Sequence, residues 1–146
     1  MTVSASARQQ PATPPPATQA QAAPVARVFG SNTGLVLNFI KADKTADFEA
    51  VMAKLKDALE TSANPLRKQQ AASWRVYKSP EPAAAGAALY VYIIDPAVKS
   101  ADYSVSAILA EAFSGDALKG LLKQYNEAYA SGQNFVNLAL VSDLGK

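Results

Sequence analysis

From Gly34 onward the apolar positions alternate between a period of two and a period near 3.6, and the changes of period mark out the elements. The run GLVLNFIKA, with glycine before it and charged residues after it, predicts a strand over residues 34–42. Asp43, Lys44 and Thr45 form a turn able to cap a helix, and Asp47 and Glu49 fall in the first turn, where the helix dipole favours negative charge. Phe48, Val51, Met52, Leu55 and Leu59 then recur at the i, i+3, i+4, i+7, i+11 spacing that gathers them on one helix face. The helix ends near Ser62, with Asn64-Pro65 as its stop. QQAASWRVYKS alternates weakly and predicts a second strand, and ALYVYIID a third, closed by Pro96; the two are expected to pair as a hairpin. Val105, Ile108, Leu109 and Ala112 mark a short amphipathic helix. Leu118, Leu121, Leu122, Tyr125 and Tyr129 mark a longer one, ended by Gly132, and NFVNLALVS predicts the last strand.

The order is β-α-β-β-α-β with one helix inserted, an α+β succession that implies a ferredoxin-like antiparallel sheet, strand order 4-1-3-2, with its helices on one face. Alternation divides the strands into two sets. Leu35, Leu37, Phe39, Leu89, Val91, Ile93, Val136, Leu138 and Leu140 are purely apolar and are expected beneath the helices. Val36, Asn38, Ile40, Tyr90, Tyr92, Ile94, Phe135, Asn137, Ala139 and Val141 are expected on the opposite face, which is too apolar to stand in water. The same face of a second copy is its expected cover, because a two-fold dimer buries one self-complementary patch on both subunits.

Residues 1–32 differ in kind. RQQPATPPPATQAQAAPVAR carries five prolines and no aromatic residue, so it cannot bury enough apolar area to offset about 1–2 kcal/mol of ordering entropy per residue. We read 1–32 as a disordered Pro/Ala/Gln-rich spacer and 33–146 as one domain. Ala5-Ser6-Ala7 has the small-x-small form that signal peptidase cuts, without the charged and apolar regions that normally precede it. The expectation is that Met1 lies inside a longer precursor whose signal peptide directs a periplasmic or secreted protein; a cytoplasmic protein with an unstructured N-terminus is the alternative.

Fourteen basic against twelve acidic side chains leave a net charge of +2, with the basic residues scattered, so nucleic acid is not an expected partner. The chain contains no cysteine and no histidine, which removes thiolate nucleophiles, the commonest general base and the commonest transition-metal ligand. No cofactor or metal is expected. No Ser-x-x-Lys pair, Gly-x-Ser-x-Gly elbow or phosphate-binding loop is present either.

The strand GLVLNFIKA running into TADFEAVMAKLKDAL, the strand LYVYIIDP, the inserted short helix and the closing strand together resemble the dimeric α/β-barrel superfamily, in which two ferredoxin-like sheets pack face to face. DKTADFEAVMAKLKDAL, DPAVKSADYSVSAILAEAF and YNEAYASGQ also resemble exported bacterial proteins distantly similar to antibiotic-biosynthesis monooxygenases. The resemblance implies a homodimer and, in the monooxygenase branch, oxidation of aromatic substrates without metal or flavin. The haem-degrading branch uses an Asn, a Trp and a His; Asn38 and Trp74 match in type, but the missing histidine sets that branch and the chlorite-dismutase-like relatives aside.

Asn38, Asn137, Tyr90 and Tyr92 share the set expected between the sheets, and Trp74 offers a ring for stacking. Buried amides need partners, so these residues either satisfy one another across a dimer interface or hold a small apolar or aromatic ligand. The expected function is therefore a non-catalytic homodimeric module binding such a ligand between its sheets. The alternative is a cofactor-independent monooxygenase in which the same amides and hydroxyls steady an enolate or phenolate.

Overall fold

The computed structural model describes residues 26–146; the Ala5-Ser6-Ala7 site and most of the proline-rich stretch lie outside the described residues. Strands β1 (Thr33–Ile40), β2 (Trp74–Lys78), β3 (Ala88–Ile94) and β4 (Tyr129–Leu138) form one antiparallel sheet in the order β2-β3-β1-β4. Helices α1 (Thr45–Thr61), α2 (Pro65–Ser73), α3 (Val105–Ala112) and α4 (Gly115–Ala128) complete an α+β domain. Phe48, Val51, Leu55 and Leu59 of α1 are buried in the core, with Met52 partly buried beside them, so the stripe read from the sequence is the packed face of that helix.

Which sheet face meets the helices is the reverse of the expected one. Val36, Asn38, Ile40 and Ile94 are 0% exposed and Tyr90 and Tyr92 nearly so, all on the helix-covered side. Leu35, Leu37, Phe39, Leu89 and Val91 remain partly exposed on the other side, and Ile93, Val136 and Leu138 are each 37% exposed. Alternation separates the two sets without saying which is inside. Volume decides it: the tyrosine rings fill the space under the helices, while their hydroxyls reach polar partners. The Tyr90 hydroxyl donates to Glu49 of α1, and Asn38 is bonded on both sides of its amide.

Three boundaries also differ. Gln69–Ser73, expected as strand, close α2; Asn64 accepts a hydrogen bond from the Leu66 N–H at 3.0 Å and Pro65 sits in the first turn, so the signal that stops α1 also starts α2. Arg67 anchors that helix with a forked pair to Glu111 of α3, at 2.9 and 2.7 Å, and a bond to the Asp102 carbonyl at 2.7 Å. Second, β4 begins at Tyr129, well before Asn134, and leaves Ala139, Leu140 and Val141 beyond its end. Tyr129 keeps helical phase with Tyr125, which hides the change from helix to strand in the sequence.

Third, residues 26–32, expected in the spacer, lie against the domain. Phe29 is 6% exposed and packs on Tyr103 and Phe135. It lies where Gly34 leaves room: a Cβ at Gly34 would collide with the Phe29 ring. The Arg27 N–H donates to Asp102 Oδ1 at 2.8 Å and its carbonyl accepts from Tyr103 at 2.8 Å, fastening this segment to the start of α3.

Candidate functional site

Beneath α4 the sheet carries a closed set of polar groups built around Asn38. The Asn38 Nδ2 donates to the Tyr90 carbonyl at 3.2 Å and, more loosely, to the Val36 carbonyl at 3.4 Å. Its Oδ1 accepts from the Tyr129 hydroxyl at 2.8 Å and from Gln133 Nε2 at 2.7 Å. Gln133 Nε2 is also 3.1 Å from both the Tyr125 and the Tyr129 oxygens, which stand 2.8 Å apart. A phenol has one proton, so while Tyr129 donates to Asn38 the contact between the two tyrosines uses the Tyr125 proton. The group is satisfied from within.

Local sequence explains how three side chains so far from Asn38 in the chain reach it. Gln133 faces Asn38 in the β1–β4 register, and a register shift between Asn38 and Ile40 lets Tyr129 pair with Ile40. Tyr125 stands one helical turn before Tyr129, at the end of α4, so its hydroxyl meets that of Tyr129 as the chain passes from helix to strand.

Burial pushes the phenols of Tyr92, Tyr125 and Tyr129 up from their ordinary range. The cluster is therefore neutral in ordinary buffers and offers hydrogen bonds rather than a base. Among the described residues no group of three or more His, Cys, Asp or Glu side chains is placed to hold a metal, and no helix is long and apolar enough to cross a membrane.

A cavity of about 300 Å³ opens on the outer side of this cluster, with Tyr125, Tyr129 and Gln133 as its floor, Ser106 of α3 and Asn126 of α4 on its walls, and Arg27 at its edge. The Arg27 guanidinium lies 4.6 Å from the Phe135 ring centroid. Among the described residues it makes no ion pair: Glu111 is paired with Arg67, and Asp102 accepts from the backbone N–H groups of Arg27 and Ser104.

The residues expected to hold a ligand are only partly brought together. Asn38, Tyr90 and Tyr92 lie under the helices, out of reach of any space outside the open sheet face. Tyr90 points its hydroxyl to Glu49, which is held below the usual carboxylate range first by that bond. Asn137 does not meet Asn38; it faces Gly34 and accepts from the Gly30 N–H at 2.8 Å. The Trp74 ring packs on Tyr92 and Tyr103, with centroids 5.4 and 5.3 Å away, and its buried Nε1 has no hydrogen-bond partner among the described residues. Trp74 also borders an apolar groove of about 260 Å³ between α1 and β2.

Tyr125, Tyr129, Gln133 and Arg27 were not among the sequence candidates. The signal that could have found the first three is their spacing at i, i+4 and i+8, which puts one polar tip per turn on an otherwise apolar stripe. Comparison with known proteins finds no matching family model, no matching curated protein and no matching solved structure.

Proposed function

We propose that this protein is an exported, non-catalytic homodimeric binding module, two copies pairing through their open sheet faces and each taking a small molecule in the tyrosine-floored cavity. The observation that carries the pairing is the uncovered face of Leu35, Leu37, Phe39, Leu89, Val91 and Ile93, extended on β4 by Val136 and Leu138. Strands about 4.8 Å apart, rising about 3.3 Å per residue, give four strands of seven residues an outline of about 19 by 23 Å. That outline is about 440 Å² in projection, about half of the roughly 800 Å² each partner contributes to a standard interface, and side-chain relief adds to it. Its centre carries no charge, and Arg75 on the outer strand is its one ionised strand residue, so it suits an equally uncharged, flat partner: a second copy laid about 10 Å away. That pairing would give the dimeric α/β barrel implied by the resemblance.

The ligand reading moves with the faces. A space between paired sheets would be lined mainly by apolar side chains, its polar groups being the single amide of Asn134 and, on the outer strand, Arg75 and Tyr77, whereas the cavity beside Tyr125 and Tyr129 gathers several. The monooxygenase alternative lacks comparable support, since the Asn38 amide that would steady an enolate is already committed to Tyr90, Tyr129 and Gln133.

Sedimentation velocity of the full chain across a dilution series tests the pairing. The expected species at micromolar concentration has twice the 15.3 kDa mass of one chain. A monomer at every concentration would overturn it.

A further inference from the structure

We propose that the tyrosine-floored cavity binds a small aromatic carboxylate, with the carboxylate on Arg27 and the ring against Tyr125 and Tyr129. This rests on the reading of that cavity as the ligand site, and it adds the chemical class.

The charge argument comes first. Among the described residues Arg27 is the only ionised one lining the cavity, and the nearby acids are answered elsewhere: Glu111 by Arg67, Asp102 by backbone N–H groups. With its Cζ over the Phe135 ring, the Arg27 guanidinium can turn an N–H edge to the cavity, and that edge matches the two oxygens of a carboxylate. The walls add donors of the same use, the Ser106 hydroxyl and the Asn126 amide, and no competing carboxylate.

The floor sets the rest of the ligand. Because the hydroxyl protons of Tyr125 and Tyr129 are directed into the Asn38 cluster, they do not reach outward for an anion. What the two tyrosines present to the cavity is ring surface, which favours an aromatic body in offset or edge contact. A volume of about 300 Å³ suits a single ring with a carboxylate and few further substituents. Asn38 then acts as a positioning residue, fixing the tyrosines from behind without touching the ligand.

The test uses the full chain labelled with nitrogen-15 and titrated separately with benzoate, inorganic phosphate and benzyl alcohol. Benzoate is expected to give saturable shifts at the Gln133 side-chain amide and at the Ser106 and Asn126 backbone amides, with weaker responses to the other two. Arg27→Gln, a change at an exposed side chain, is expected to weaken benzoate about tenfold while the sedimentation profile stays that of the parent. Four results would each overturn the proposal: no saturable benzoate shift at these residues, unchanged affinity in R27Q, benzyl alcohol binding as tightly as benzoate, or phosphate doing so. None of these depends on oligomeric state, so loss of the dimer reading with benzoate binding intact separates the two proposals.

Discussion

Replacing Asn38 by alanine is expected to lower the stability of the domain by about 2 kcal/mol, because it takes the acceptor from two part-buried donors, the Tyr129 hydroxyl and Gln133 Nε2. Asn38 is 0% exposed on β1, one of the two interior strands. The lost donor to the Tyr90 carbonyl and the small void left by the amide act in the same direction. Asn137→Ala is the contrast. Its side chain is exposed and makes one bond, to the Gly30 N–H, so about 1 kcal/mol or less is expected. Urea unfolding of both variants against the parent measures the difference; equal losses would mean that the Asn38 cluster is not closed in the way described.

Alkaline unfolding is expected to be steep. Burial pushes the phenols of Tyr92, Tyr103, Tyr125 and Tyr129 up, and burial together with the bond to Glu49 does the same for Tyr90. In the unfolded chain a tyrosine loses its proton near pH 10. A folded group that keeps its proton longer makes the folded state the better proton binder above that point, so stability falls as pH rises. The contribution of these residues is fully present below pH 10 and is lost through the range between the unfolded value and the raised folded ones. All five shifts act in the same direction, so stability is expected to fall more steeply with pH than a single raised phenol would make it. Tyrosinate absorbance followed alongside far-ultraviolet circular dichroism should show these phenols ionising in step with loss of the fold. Smooth ionisation near pH 10 with the dichroism unchanged would contradict the burial described.

The first strand, the stripe of α1 and the hairpin of β2 and β3 were legible because each rests on a local period that the tertiary structure has no reason to override. The inward face was not. Leu35-Leu37-Phe39 is the more apolar triad, yet Val36-Asn38-Ile40 is the buried one, since Asn38 finds four partners and the neighbouring tyrosines bring more volume than leucines would. Hydropathy measures the cost of an unpaired amide, and this amide is paired. The start of β4 was hidden for a related reason: Tyr125 and Tyr129 keep helical spacing across the point where the chain changes conformation. The cavity was out of reach of the sequence because it joins Arg27, α3, the end of α4 and the start of β4, four segments with no common motif.

The account stands on which face of the sheet is inside and which is left for a second copy, and a pair of neighbouring substitutions on β1 measures this directly. Leu37→Asp places a charge on the open face and should leave a folded chain that sediments as a monomer; Val36→Asp places one in the core and should abolish the fold. A folded Val36→Asp protein, or a Leu37→Asp protein that pairs as tightly as the parent, would contradict it.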